Sequence, residues 1–287
     1  MIYPFQTQEY RNLFKKHFIT DPESCVQFEN IEYELLPDNR AVLVGMKPVL
    51  GGQEVTDFGI ESINNEGSIH AALKKKYAVQ TVQYDYIRED SLAFQTLQLI
   101  AQNSPTQQEV SPTIILPSTW EEYLESLERT DRKELKRKFK RLEAIPHSFH
   151  YSGERVTDND FSDFIRLHKL SDFAKEKFMT DPMKSFFKEV STLSIPGWTQ
   201  KIATLKINDI SVASVFFFEN ENSLLLYNSG YDPEQKYYSV GLLLIAQLIH
   251  YAIENKRKVF DFLRGNERYK YDLGGKDVKL YKFVFEL

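Results

Sequence analysis

At 287 residues the chain can bury one large core or two domains of ordinary size. Hydrophobic residues are 42% and charged residues 27% of the chain, close to the globular average, which excludes disordered and fibrous classes. The formal net charge of −5 argues against a nucleic-acid binder driven by bulk charge, and apolar runs such as Val212–Phe218 and Val240–Ile249 are too short to span a bilayer.

The charge is uneven. Residues 1–115 hold 15 acids and 9 bases, whereas the remainder holds 26 acids and 27 bases. That contrast favours two sub-domains, with any anionic ligand on the second. Cys25 is the single cysteine, so no internal disulfide forms, and it reads as a small structural hydrophobe. The N-terminus lacks a basic n-region and an apolar h-region, so a cytoplasmic location is expected. The 14% aromatic content fits core packing or a cleft for a planar or acyl ligand.

In chain order, Thr7 is expected to cap a short helix running to His17, with Tyr10, Leu13, Phe14 and Phe18 on one face. Strands are expected at Ile31–Leu36, Ala41–Val44 and Val55–Ile60, with a turn at Gly51 and Gly52. A helix over Ile69–Tyr77, a strand over Val79–Ile87 and a helix over Ser91–Ala101 make a βαβ-like pattern. The polar stretch Gln102–Pro112 reads as a boundary, giving domains 1–112 and 113–287. A capping box at Ser118–Glu121 starts the next helix, followed by a basic helix over Asp131–Ala144. Further helices are expected over Asp160–Lys175 and Pro182–Leu193. From Thr199 the period becomes two, and Gln200–Ile207, Ile210–Phe218 and Leu224–Ser229 read as an antiparallel meander with a turn at Asn208-Asp209. The chain closes with a helix over Gly241–Asn255, a strand over Val259–Leu263 and a strand over Val278–Glu286.

The most specific stretch is Tyr227–Lys270, YNSGYDPEQKYYSVGLLLIAQLIHYAIENKRKVFDFLRGNERYK. It places a strand, a Ser-Val-Gly loop, an amphipathic helix, a second strand and a polar exit turn in succession. A helix entered in this way presents unpaired N–H groups and the positive end of its dipole, a ready site for phosphate.

This order resembles the core of the GNAT acyltransferases. The wording of Tyr227–Pro233, Ser239–Gly241 and Phe260–Lys270 resembles the CelD-like, FemAB-related branch. The segments RTDRKELKRKFKRLE, FIRLHKLSDFAKEKF and GGQEVTDFGIES are also similar to that family. The resemblance implies an α/β (α+β) fold with a partial N-terminal GNAT-like half and a complete C-terminal GNAT domain. It implies acetyl-CoA or another acyl-CoA as co-substrate, and an amine or hydroxyl acceptor, such as an amino sugar or a polysaccharide or cell-envelope precursor. The pantetheine arm would lie along the backbone of Tyr227, Asn228 and Ser229 as an added strand. The diphosphate would sit on N–H groups of Tyr238, Ser239, Val240, Gly241 and Leu242, with Ser239 as N-cap and Lys236 adding charge. Gly241 would permit close backbone approach. The usual signature Gln/Arg-x-x-Gly-x-Gly/Ala is absent; Gly241 is the loop's one glycine.

Direct acyl transfer needs a base for the acceptor and a donor toward the leaving sulfur. Asp261, flanked by Phe260 and Phe262, is a candidate base, or else a structural partner of the Arg264–Gly265 turn. Tyr269 is a candidate acid and Lys270 a candidate holder of an anionic acceptor, or both are surface contacts on a short helix. Tyr231 and Arg264 are candidates for substrate contact. The run Arg129–Arg141 has eight bases and two acids and could grip tRNA, but Leu135, Phe139 and Leu142 form the apolar stripe of an ordinary amphipathic helix. The six histidines show no metal-ligand spacing, and no metal is expected. Two other functions remain open. One is a FemAB-type aminoacyl transferase using charged tRNA, against which the lack of a long heptad-patterned insertion weighs. The other is a GNAT-fold binding module without chemistry.

Overall fold

The computed structural model describes residues 2–46 and 55–287; the turn expected at Gly51 and Gly52 lies outside them. The chain divides into two compact units, Met1–Ser111 with Val278–Leu287, and Pro112–Asp277.

In the first unit, α1 (Gln8–Phe18) starts where the Thr7 hydroxyl accepts the Tyr10 N–H, and it buries Tyr10, Leu13 and Phe14. Strands β1 (Cys25–Phe28), β2 (Ile31–Leu35) and β3 (Arg40–Leu43) pair antiparallel. Helix α2 (Glu66–Tyr77) then crosses to β4 (Thr81–Arg88), which is parallel to β3 as the βαβ pattern requires. Helix α3 (Leu92–Ile100) is capped by Ser91.

One expectation fails here for an identifiable reason. Residues 55–60 form no strand. Val55, Phe58 and Ile60 are buried, but the backbone bonds scatter: the Val55 carbonyl accepts from Tyr10 Oη, and the Gly59 N–H donates to the Tyr86 carbonyl. The polar stretch read as a boundary ends where the two units divide, at Ser111 and Pro112, and is itself largely strand, within β5 (Thr106–Ile115). Its polarity is used in the sheet: Gln108 accepts the Tyr86 N–H and donates to Asp85, each within 3 Å.

In the second unit, the capping box lies one residue later than expected, at Thr119 and Glu122, and opens α4 (Trp120–Ser126). Next come α5 (Arg129–Leu142), β6 (His147–Tyr151), α6 (Asp158–Ser171), α7 (Phe173–Phe178) and α8 (Asp181–Val190). The helix expected over Asp160–Lys175 is broken at Asp172, whose extended backbone lets its carboxylate cap α7 at the Lys175 N–H. The meander is β7 (Thr199–Ile207), β8 (Ile210–Glu219) and β9 (Ser223–Tyr231). Asn208 and Asp209 both take left-handed φ, as a two-residue hairpin turn demands. Then follow α9 (Val240–Glu254), β10 (Val259–Asp261) and α10 (Arg268–Asp272); β11 (Lys276–Glu286) belongs from Val278 onward to the first unit, where it pairs antiparallel with β4.

The second unit's strands lie in the order β5, β10, β9, β8, β7, β6, where β5 enters through Thr113–Ile115. All neighbours are antiparallel except β10 and β9. Alternation along β8 loads both faces. Val215 and Phe217 join the core under α4, α5 and α9. Phe216 turns the other way, onto Phe164 of α6 and Phe187 of α8. Each such aromatic stabilises by about 1.5–3 kcal/mol when fully buried, so both helical layers are held firmly against the sheet.

Candidate active site

Strands β9 and β10 run parallel through Val259–Ser223, Phe260–Leu224 and Asp261–Leu225, where the pairing stops. Strand β9 continues alone to Tyr231. The parting follows from a bulge: Phe217 pairs with Leu226 and Phe216 with Asn228, so Tyr227 is an extra residue. A bulge bends its strand and adds twist. It falls two residues past the last β10 pair and turns β9 away. The Tyr227 ring stacks on Phe187 at 5.3 Å and packs on Phe216 and Phe218, which fixes the bulge. Tyr227 therefore contributes through its backbone and its packing.

Beyond the parting lies a cavity of about 320 Å³, lined chiefly by the end of β9, the loop before α9, the first turns of α9, and Tyr269. It gathers eight residues named from the sequence: Ser229, Tyr231, Lys236, Ser239, Val240, Gly241, Leu242 and Tyr269. Lys175 and Ile245 complete the wall and stand outside the sequence expectation. Ile245 could have been found by extending the α9 face one turn from Gly241 and Leu242. Lys175 lies in a distant segment, and only the fold brings it here.

The loop before α9 holds a 3-10 turn over Pro233–Tyr238. Ser239 occupies the N-cap position, but with φ of 55° and no side-chain cap, so the first N–H groups of α9 are not closed off by its hydroxyl. Gly241 lines the cavity and also packs closely on a neighbour. A Cβ there would lie 3.1 Å from the Tyr231 ring, so it is this ring that sits against the helix start. Lys236 lines the cavity from the loop. Arg141 of α5 braces the same loop: its guanidinium donates to the Tyr237 carbonyl and lies 4.4 Å from the Tyr237 ring centre. Tyr238 packs partly buried against the apolar core instead of lining the cavity.

Helices α6 and α7 close the edge that β10 leaves. The Ser171 hydroxyl accepts the Tyr231 N–H at 2.8 Å, and Lys175 Nζ donates to the Ser229 carbonyl at 2.6 Å. The Ser229 N–H goes to Asn228 Oδ1 at 2.9 Å. Asn228 also hydrogen-bonds the buried His168. Burial first, and then the Lys175 charge, pull the His168 pKa down to about 3. Burial likewise lowers the Lys175 pKa, against the opposing pull of Asp172 and Glu267.

Three of the candidates stand off the cavity wall. Asp261 is fully buried and off the cavity wall; its Oδ1 accepts the Leu263 N–H at 2.8 Å. It secures the turn after β10, where Leu263 holds φ of 58°. Lys270 points inward. Its ammonium donates to the carbonyls of Leu263, Arg264 and Gly265 and pairs with Glu267 at 3.0 Å, so an acceptor anion finds its donors already used. Arg264 lies off the wall, in that same turn. Tyr269, by contrast, keeps its place: its ring leans edge-on against Phe262, and burial raises the hydroxyl pKa. Among the described residues, no group of three His, Cys, Asp or Glu could hold a metal ion, and no helix is long and apolar enough to cross a membrane.

Residues 129–271 match the family model for the acetyltransferase (GNAT) domain. No curated protein matches the chain by sequence. In structure the chain is similar to FemX, at 11% identity and a TM-score of 0.62 over 99% of this chain and 92% of that one. It is also similar to L-PGS from Bacillus licheniformis, at 12% identity and 0.57 over 98% and 92%. A tandem GNAT protein from the clavulanic acid biosynthesis pathway gives 12% identity and 0.50 over 96% and 87%. Identities this low speak to fold alone. The parted strands and the family match agree: the chain has a GNAT fold, and its residues 129–271 match the GNAT acetyltransferase domain.

Proposed function

We propose that the cavity beyond the parted strands receives the thioester end of an acyl-CoA, and that the protein transfers the acyl group to an amine or hydroxyl. The observation that carries this reading is the bulge at Tyr227, which opens β9 from β10 and leaves a strand edge facing a cavity at a helix N-terminus. The arm would take the place of Asn228 Oδ1 on the Ser229 N–H, extending β9 as an added strand alongside Tyr227 and Asn228. The diphosphate would meet the first N–H groups of α9 at Ser239, Val240, Gly241 and Leu242, with Lys236 and the Tyr238 segment at the rim. Tyr269 would protonate the leaving thiolate, and Tyr231, resting on Gly241, would border the acceptor. In keeping with the CelD-like wording of Tyr227–Lys270, the acceptor is an amino sugar or a polysaccharide precursor. Calorimetry with acetyl-CoA tests the donor: saturable binding is expected, and no heat up to millimolar ligand would sink the claim.

A second reading has its own support. The outer face of α5 carries a row of exposed bases, and Arg141 ties this helix to the loop before α9. Two of the similar structures are FemX and L-PGS. An aminoacyl group delivered on tRNA would use that basic face. Aminoacyl-tRNA that binds with steep salt dependence, alongside silence toward acetyl-CoA, would establish this reading in place of the first.

A further inference from the structure

We propose that Lys175 is the proton acceptor of the transfer, its neutral amine taking the proton that the acceptor gives up. The proposal rests on the acyl-transfer reading of the cavity. Attack on a thioester requires a base within hydrogen-bond reach of the nucleophile. Among the described residues, the cavity wall carries no carboxylate and no imidazole; its titratable members are Lys175, Tyr231, Lys236 and Tyr269. Tyrosine hydroxyls hold their protons near neutrality. Lys236 is exposed on the loop before α9.

Lys175 is differently placed. It reaches the vacated edge of β9 from α7, and Nζ sits 2.6 Å from the Ser229 carbonyl. That bond needs one N–H. The neutral amine thus keeps its place on Ser229 and still has a lone pair for a nucleophile entering the cavity. The charged and titratable groups that face it are Asp172 on its own helix, Glu267 from the exit turn and His168 from α6. The two carboxylates favour the ammonium; burial opposes them and prevails, so the amine loses its proton more readily than an ordinary lysine. His168 stays neutral and adds no opposing charge.

In the step, the acceptor's nitrogen or oxygen forms a bond to the thioester carbon, and its proton passes to Lys175 Nζ. The carbon–sulfur bond breaks, and the thiolate takes the Tyr269 hydroxyl proton. Solvent then returns the proton from Lys175 to Tyr269, so the enzyme is restored and free thiol and acylated acceptor are the products.

Two measurements test this. Labelling with acetic anhydride at rising pH, followed by peptide mass spectrometry, titrates each lysine without any acceptor. Lys175 should react at lower pH than Lys236 and be protected by desulfo-CoA; if it titrates together with Lys236, the proposal is overturned. Thiol release from acetyl-CoA with glucosamine as the acceptor probe gives the second. Lys175→Arg should keep acetyl-CoA affinity and lose about 100-fold in rate. Lys175→Cys alkylated with bromoethylamine, in a Cys25→Ser background, should recover the rate with its acidic limb at lower pH. An arginine variant as fast as the parent overturns the proposal. Calorimetry with acetyl-CoA separates the cases: binding with an ordinary Lys175 titration defeats only the base, whereas absent binding defeats the donor reading itself.

Discussion

Gly230 of β9 and His168 of α6 meet backbone to backbone: a Cβ built on Gly230 would lie 2.2 Å from the His168 nitrogen. No flexible side chain stands there to yield. The contact lets α6 sit low enough for Ser171 to bond Tyr231 and for Lys175 of α7 to reach Ser229. Gly230→Ala should therefore push helix and strand apart and cost about 1–3 kcal/mol, the usual toll of overpacking. Urea denaturation would show a lowered midpoint, and acetyl-CoA affinity should fall with it. A variant of parental stability would show that the two elements slide freely.

His168 gives a pH signature of stability. Its folded pKa of about 3 lies below the ordinary histidine value of roughly 6.5. Between these limits the unfolded chain binds the proton and the folded one does not, so stability rises with pH across that window. The contribution is full above the unfolded pKa and drains away as pH falls toward the folded one. The slope should approach about 1.4 kcal/mol per pH unit for this one site. His168→Gln should flatten it in denaturation curves at a series of acidic pH values. An unchanged slope would show that the imidazole is not desolvated in the native state.

Much of this architecture is legible in local sequence because its causes are local. The Asn208-Asp209 hairpin, the Thr7 cap and the strand–loop–helix–strand order of Tyr227–Lys270 rest on spacing and turn chemistry alone. Side-chain direction after β10 is a different matter. An alternating pattern puts Asp261 opposite Phe260, yet the turn folds back so that Asp261 serves the Leu263 N–H. Lysines ordinarily face solvent, but Lys270 does not, because three carbonyls converge on one point once Leu263 and Gly265 take left-handed φ. Lys175 is hidden from the sequence for a third reason. Its position depends on the break at Asp172 and on a close helix–strand contact more than fifty residues away in sequence.

Lys270→Met should act on stability. Removing the ammonium strands three carbonyls that it now satisfies, and leaving buried acceptors unmet costs about 1–3 kcal/mol. The melting temperature should drop sharply. At a temperature where the variant stays folded, its acceptor KM should remain near the parent value. A stable variant with a raised KM would return Lys270 to the anion-binding role.

Tyr269→Phe separates chemistry from binding. The ring packs on Phe262 and lines the cavity, and phenylalanine preserves both contacts, so stability and acetyl-CoA affinity should hold. The raised hydroxyl pKa means that the group carries its proton at every pH where the enzyme works. It is therefore protonated and at hand as a donor when the carbon–sulfur bond breaks. Loss of general-acid help costs about 100-fold or more in rate, and the loss should depend on the leaving group. Acyl donors whose thiol is more acidic need less protonation, so their turnover should suffer less in the variant than that of acetyl-CoA. Equal losses with both donors would place Tyr269 in positioning rather than proton transfer, and an unimpaired variant would remove it from the reaction.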